Sequence, residues 1–206
     1  MTDTRAPRFS HLICRCVLNG EVIRNLRAVK PHEASAMPVI LRKQIWLMPQ
    51  YWYLHLANLM TRGTIAFSAA IVIESLVISI AIAEFMVGPL GFSAESALSR
   101  RSHTEMLVFG LAVAPIIETL FFQALPVAIV RRFDLRGSIR WLLIIAPFAF
   151  VHFDNGLVPG VSAGIVGGVY LGVCYWICRQ RSYWFAFYVT AATHCVRNAL
   201  AFAVFF

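Results

Sequence analysis

The chain has 206 residues, of which 59% are hydrophobic and only 14% charged, and its mean hydropathy is +0.71. That is too apolar for an ordinary soluble domain, and the length suits one domain with a modest extension. The net charge of +8 sits on Lys and Arg that flank apolar stretches, with no recognisable reading motif. This argues against a nucleic-acid partner and points to anionic lipid head groups.

Residues 1–43 carry scattered basic residues and no apolar h-region, so they read as cytoplasmic, and the first span has to act as its own insertion signal. Residues 44–62 are rich in Trp and Tyr yet hold Pro49, Gln50, His55 and Asn58. They read as an interfacial helix or helix pair at head-group level, with a membrane crossing as the alternative. The predicted division is therefore a basic cytoplasmic and interfacial region, 1–63, and a transmembrane domain, 64–206.

Five spans are predicted at about 64–87, 106–130, 141–157, 157–178 and 183–206, most of them near the ~20 residues that a ~30 Å hydrocarbon core requires. The third is short and ends in the turn signal Asp154-Asn155-Gly156. The fold class is thus an all-α, multi-pass transmembrane bundle of five spans, or six if 44–62 also crosses. Nine Lys/Arg lie in 1–63, four in 131–140 and two in 179–182, against two in 88–105 and none in 153–157. The positive-inside rule then puts the N-terminus in the cytoplasm.

Gly156, Gly160, Gly164, Gly168 and Gly172 recur every four residues. Such a ridge lets a neighbouring helix approach backbone to backbone. Cys14, Cys16, Cys174, Cys178 and Cys195 are odd in number and lack the spacing of a disulfide framework. Cys174 and Cys178 read as packing residues. Cys195 adjoins His194, but helix neighbours point about 100° apart, which argues against a cysteine nucleophile.

Ionisable groups inside spans cost roughly 3 kcal/mol on insertion scales, so they usually face the bundle interior and serve a function. Here they are Glu74, Glu118, His152, His194 and Arg197, with Asn198 alongside. Glu74 and Arg197 are expected to pair. Glu118 lies 13 residues before Arg131, His152 12 after Arg140, and His194 13 after Arg181. At ~1.5 Å per residue all three sit roughly 18–20 Å from a basic anchor. His194 and Asn198, four apart, face the same way.

A desolvated carboxylate suits proton abstraction from water, with His152 sharing or orienting that water. His194 and Asn198 would donate to a carbonyl oxygen as charge develops on it. The constellation predicts hydrolysis by an activated water.

Three segments carry these residues: Pro115-Ile-Ile-Glu118-Thr119-Leu-Phe-Phe122-Gln123, Phe148-Ala-Phe-Val-His152 and His194-Cys-Val-Arg-Asn198. In order and spacing they resemble the three motifs of the CAAX-protease and bacteriocin-processing family: Glu-Glu-x-x-x-Arg, Phe-x-x-x-His and His-x-x-x-Asn/Asp. The resemblance covers roughly 106–206. It implies an intramembrane endopeptidase similar to the type II CAAX prenyl endopeptidases. Glu118 and His152 would activate water, His194 and Asn198 would form the oxyanion pocket, and Thr119, Phe122, Gln123 and Phe148 would support them.

Thr119 and Gln123 depart from the family's second Glu and its Arg, and a neutral contact between them is expected to replace the ion pair. Metal-free hydrolysis is preferred. The runner-up is zinc held by Glu118, His152 and His194, which leaves no evident general base. The rival reading from another class is a catalytically silent immunity or scaffold protein with the same bundle. A transporter is disfavoured because no internal repeat is visible. Expected partners are the bilayer and a peptide substrate. Prenylated C-terminal peptides, bacteriocin precursors and other membrane-proximal peptides all fit, and the site is expected to open toward the cytoplasm.

Overall fold

The computed structural model describes residues 37–93 and 103–205, with side chains described from Gln50 onward except at 103, 105, 106 and 205. The basic stretch 1–36, with Cys14 and Cys16, lies outside the described residues, as do Arg100 and Arg101 of the first connector. Among the described residues the structure is all helical. The helices are α1 (Met37–Arg62), α2 (Thr64–Val87), α3 (103–132), α4 (Gly137–Phe153), α5 (Leu157–Cys178) and α6 (Tyr183–Phe205). From Gln50 onward they form one compact unit.

The breaks fall where the sequence supplies turn chemistry. Gly156 closes the predicted turn with φ +119, a conformation that side chains disfavour. At the α3–α4 connector Asp134 takes φ +47 and its carboxylate accepts a hydrogen bond from Arg136, which holds the carboxyl below its ordinary range. Ser182 caps α6 by accepting from the Phe185 amide at 3.0 Å.

Three helical stretches are long and apolar enough to cross a membrane: α2, Phe109–Arg132 within α3, and α5. Helix α4 is apolar but has only 17 residues. Helix α6 has 23 residues, and its apolar run is interrupted by His194, Arg197 and Asn198. The protein is therefore an integral membrane helical bundle.

The interior of α5 decides the architecture. It is 67% buried over its apolar window, against 22% for α2 and 39% for α3, and it packs on α2, α4 and α6. The glycine ridge faces α4. A Cβ at Gly160 would collide with the Phe153 ring, and one at Gly172 would meet Ile144 at 2.6 Å. At Gly164 it would fall 2.7 Å from His152 Cβ and 3.0 Å from the Ala149 carbonyl oxygen. Gly156 is not part of this contact, because it forms the turn before α5. The ridge thus begins at Gly160.

Residues 50–62 of α1 dock on the bundle through buried Leu56 and Met60. Trp52 packs edge-on to Tyr170 at 4.9 Å and donates to Glu74 Oε2 at 2.9 Å. The apolar core gathers Val127, Val130, Ile144, Tyr175, Cys178 and Ala186, all toward the end of the bundle that carries Arg131, Arg140 and Arg179. Cys174 and Cys178 are free and buried in that core, as packing residues should be.

Gly164→Ala is expected to destabilise the protein by roughly 1–3 kcal/mol, since the obstruction includes backbone that cannot rotate away. Gly110→Ala, where a Cβ meets nothing within 4 Å, should change stability by less than about 0.5 kcal/mol. Thermal denaturation of both variants in detergent checks the contrast; equal midpoints would contradict the packing.

Candidate functional site

The candidate residues lie beyond the apolar core, further from the arginine-bearing end. Glu118 closes a short α-helical stretch of α3, Ala114–Glu118, which is bracketed by two π-helical segments, Phe109–Val113 and Thr119–Ala124. π-Segments of this kind are often found at functional sites, because the extra residue re-aims the side chains that follow. Glu118 Oε2 stands 3.6 Å from His194 Nε2, with the imidazole 2% exposed and the carboxylate 21%. Helices α3 and α6 are thereby joined through two of the predicted residues.

His152 reaches the same place through Phe148. Its ring stacks on Phe148 at 4.4 Å between centroids, and the His194 ring lies 5.5 Å from that same phenyl group. Phe122 approaches Phe148 edge-on at 6.4 Å. One fully buried phenylalanine therefore spaces both imidazoles. His152 Nδ1 is 2.8 Å from the Phe148 carbonyl oxygen. That carbonyl can only accept, so Nδ1 carries the proton and Nε2 is free to act as an acceptor.

Asn198 is anchored across helices, its Nδ2 donating to the Gly110 carbonyl at 2.9 Å. Gly110 lies in the first π-segment. One amide hydrogen is so engaged and the second remains available.

Thr119 and Gln123 do not make the expected contact. Both are fully buried, and neither Thr119 Oγ1 nor either amide atom of Gln123 has a protein hydrogen-bond partner. The π-segment that holds them explains this, because residues four apart no longer stack as they do on an α-helix.

The expected Glu74–Arg197 pair is also absent. Glu74 Oε2 accepts from Trp52 and, at 3.3 Å, from Tyr170, while Oε1 lies 3.4 Å from His55 Nε2. Arg197 instead donates to Ser75 and Ser79. Counting along two helices gives similar depth, but the direction of each side chain depends on which helices flank it.

Zinc would need three protein donors around one point. Among the described residues no group of three His, Cys, Asp or Glu is gathered for that purpose. The set Glu118, His152 and His194 does not fit the ion as placed.

These features define a multi-pass helical membrane protein with a carboxylate and two imidazoles enclosed between its helices. Residues 101–200 match the family model described as type II CAAX prenyl endopeptidase Rce1-like. That segment is thus similar to the CAAX-protease and bacteriocin-processing family, a family of proteases. Comparison with curated proteins and with solved structures gives no match.

Phe148→Ala should cost about 3–5 kcal/mol, the range for truncating a buried phenylalanine, and should release both imidazoles. Chemical denaturation in detergent measures the first effect. NMR of ring-labelled histidine would detect the second as increased motion of His152 and His194; unchanged ring mobility would count against Phe148 as their spacer.

Proposed function

We propose that the chain is an intramembrane endopeptidase of the glutamate type. In this reading Glu118 accepts a proton from a water whose oxygen attacks the scissile carbonyl carbon. His152, with Nε2 unprotonated, orients that water. The carbonyl π-electrons move onto oxygen, and His194 and the remaining Asn198 amide hydrogen donate to the resulting oxyanion. Collapse of the tetrahedral species breaks the C–N bond, and the proton held by Glu118 passes to the leaving amine. The hydrolysis is balanced: one water is consumed, and one acid and one amine are released.

The observation that carries this reading is the 3.6 Å approach of Glu118 to His194 from two different helices, within the segment that matches a prenyl endopeptidase family model. A carboxylate in a low-dielectric site is a stronger base than one in water. The substrate is proposed to be a membrane-proximal protein or peptide C-terminal to a lipid anchor. The N-terminus is proposed to be cytoplasmic, on the distribution of Lys and Arg.

Glu118→Gln, His152→Ala and His194→Ala are each expected to lower kcat by at least ~100-fold while leaving membrane insertion intact. The assay uses purified protein with a library of prenylated and unprenylated peptides, read by mass spectrometry with and without chelator. Full processing by all three variants would refute the peptidase and favour a silent scaffold. Loss of wild-type cleavage on chelation would refute the metal-free mechanism.

A further inference from the structure

We propose that the seam between α2 and α6 is a binding site for one acyl chain of an anionic phospholipid, held on the face of α6 opposite the candidate site. The inference stands apart from the peptidase reading, since it needs only that the bundle lies in a bilayer.

The two helices run parallel. Thr193 lies 3.1 Å from Ser68 and, further along both, Arg197 donates to Ser75 at 3.1 Å. Residues four apart share a helix face, and each helix turns one such row outward. On α2 the row is Ile65, Ala69 and Ile73, and on α6 it is Ala192, Val196 and Leu200; all six are exposed. Between the rows lies a cleft of about 530 Å³, within the range of small-molecule sites. The hydroxyls on its floor are already engaged: Thr193 donates to the Val189 carbonyl at 2.7 Å, and its oxygen stands 3.1 Å from Ser68 Oγ. A guest at mid-cleft therefore meets hydrocarbon surface, which suits an apolar chain.

Length and position select the kind of chain. Tyr188 also lines the cleft, and from there to Leu200 α6 rises about 18 Å, close to one leaflet of a ~30 Å core. The mouth at Tyr188 is built for a head group. The Tyr188 ring stacks on Trp184 at 6.1 Å, and both residues are 63% exposed. Arg62 is exposed two residues before Thr64, another lining residue, and among the described residues it has no ion-pair partner. Amphipathic aromatics collect at head-group level, and a guanidinium there attracts anionic lipid. Direction around α6 separates this guest from a substrate. At about 100° per residue, Ala192 and Val196 lie roughly 160° from His194. A chain in the cleft thus leaves its head group on the wrong side of α6 for Glu118.

The test is native mass spectrometry of delipidated protein titrated with palmitoyl-oleoyl phosphatidylglycerol. One lipid should bind about tenfold more tightly than those that follow. Ala69→Phe/Ala192→Phe, which fills the cleft, should abolish that preference. Ala81→Phe, exposed on the same helix outside the cleft, should keep it. Arg62→Gln should weaken the first site about fivefold, the effect of one basic residue beside an anionic head group. An unchanged first site in the double variant would overturn the proposal. Displacement of the bound phospholipid by an equimolar farnesylated cysteine would assign the cleft to a substrate and overturn it too. If the double variant is not recovered from membranes, the wild type decides. Phosphatidylglycerol carrying a diazirine at mid-chain should label residues 64–73 and 188–200 in preference to other lipid-facing segments, and even labelling would overturn the proposal.

Discussion

The close seating of α4 on α5 is the constraint on which the remainder of the structure depends. At Gly160, Gly164, Gly168 and Gly172 no side chain of α5 stands between it and α4. Lipid offers no hydrophobic push between helices, so association relies on this kind of tight steric fit. The fit has a direct chemical consequence, because His152 and Phe148 lie on the face of α4 that meets the ridge. Gly164 sets the height of His152 Cβ, and Gly167 and Gly168 hold Phe148 from the other side. The imidazole is located by close backbone packing and by one fully buried ring, which is the kind of support that a preorganised site needs.

Around that seam the bundle sorts its polar groups by length of reach. Short hydroxyls tie neighbouring helices: Thr193 to Ser68 at 3.1 Å, and Ser79 to the Ser162 carbonyl. The long Arg197 side chain spans from α6 to α2. Glu74 collects Trp52, His55 and Tyr170, so residues 50–62 of α1 are held by a polar cluster distinct from the candidate site. Glu74, Glu118, His152, His194 and Arg197 thus each have a polar neighbour, as the cost of burying charge in lipid demands.

Much of this was legible in the sequence because it follows from composition and local period. Apolar run length located the helices, and Asp154-Asn155-Gly156 located the turn before α5. Four-residue glycine spacing identified a helix contact, although not which helix it would meet. Equal depth from the arginine anchors brought Glu118 and His194 together. What escaped was whatever depends on packing around a helix. The π-segments of α3 leave no mark in Phe109–Val113 or Thr119–Ala124 that a period of 3.6 would detect, and they undo the Thr119–Gln123 contact. The partners of Arg197 were missed because Ser75 and Ser79 are unremarkable in an apolar span. They lie one helical turn apart, and that spacing beside a buried Arg was the available signal. Phe148 was legible as a motif residue, but its place between two imidazoles was not.

The length of α4 has one more implication. Seventeen residues extend about 25 Å at 1.5 Å per residue, short of a ~30 Å hydrocarbon core, and the exposed Asp154 follows immediately. A span shorter than the hydrocarbon core is accommodated by thinning of the bilayer, snorkelling of flanking residues or oligomerisation. Hydrolysis in an oily medium has to import its second reactant, and an exposed carboxylate two residues past His152 shortens the apolar distance between that side chain and a polar boundary.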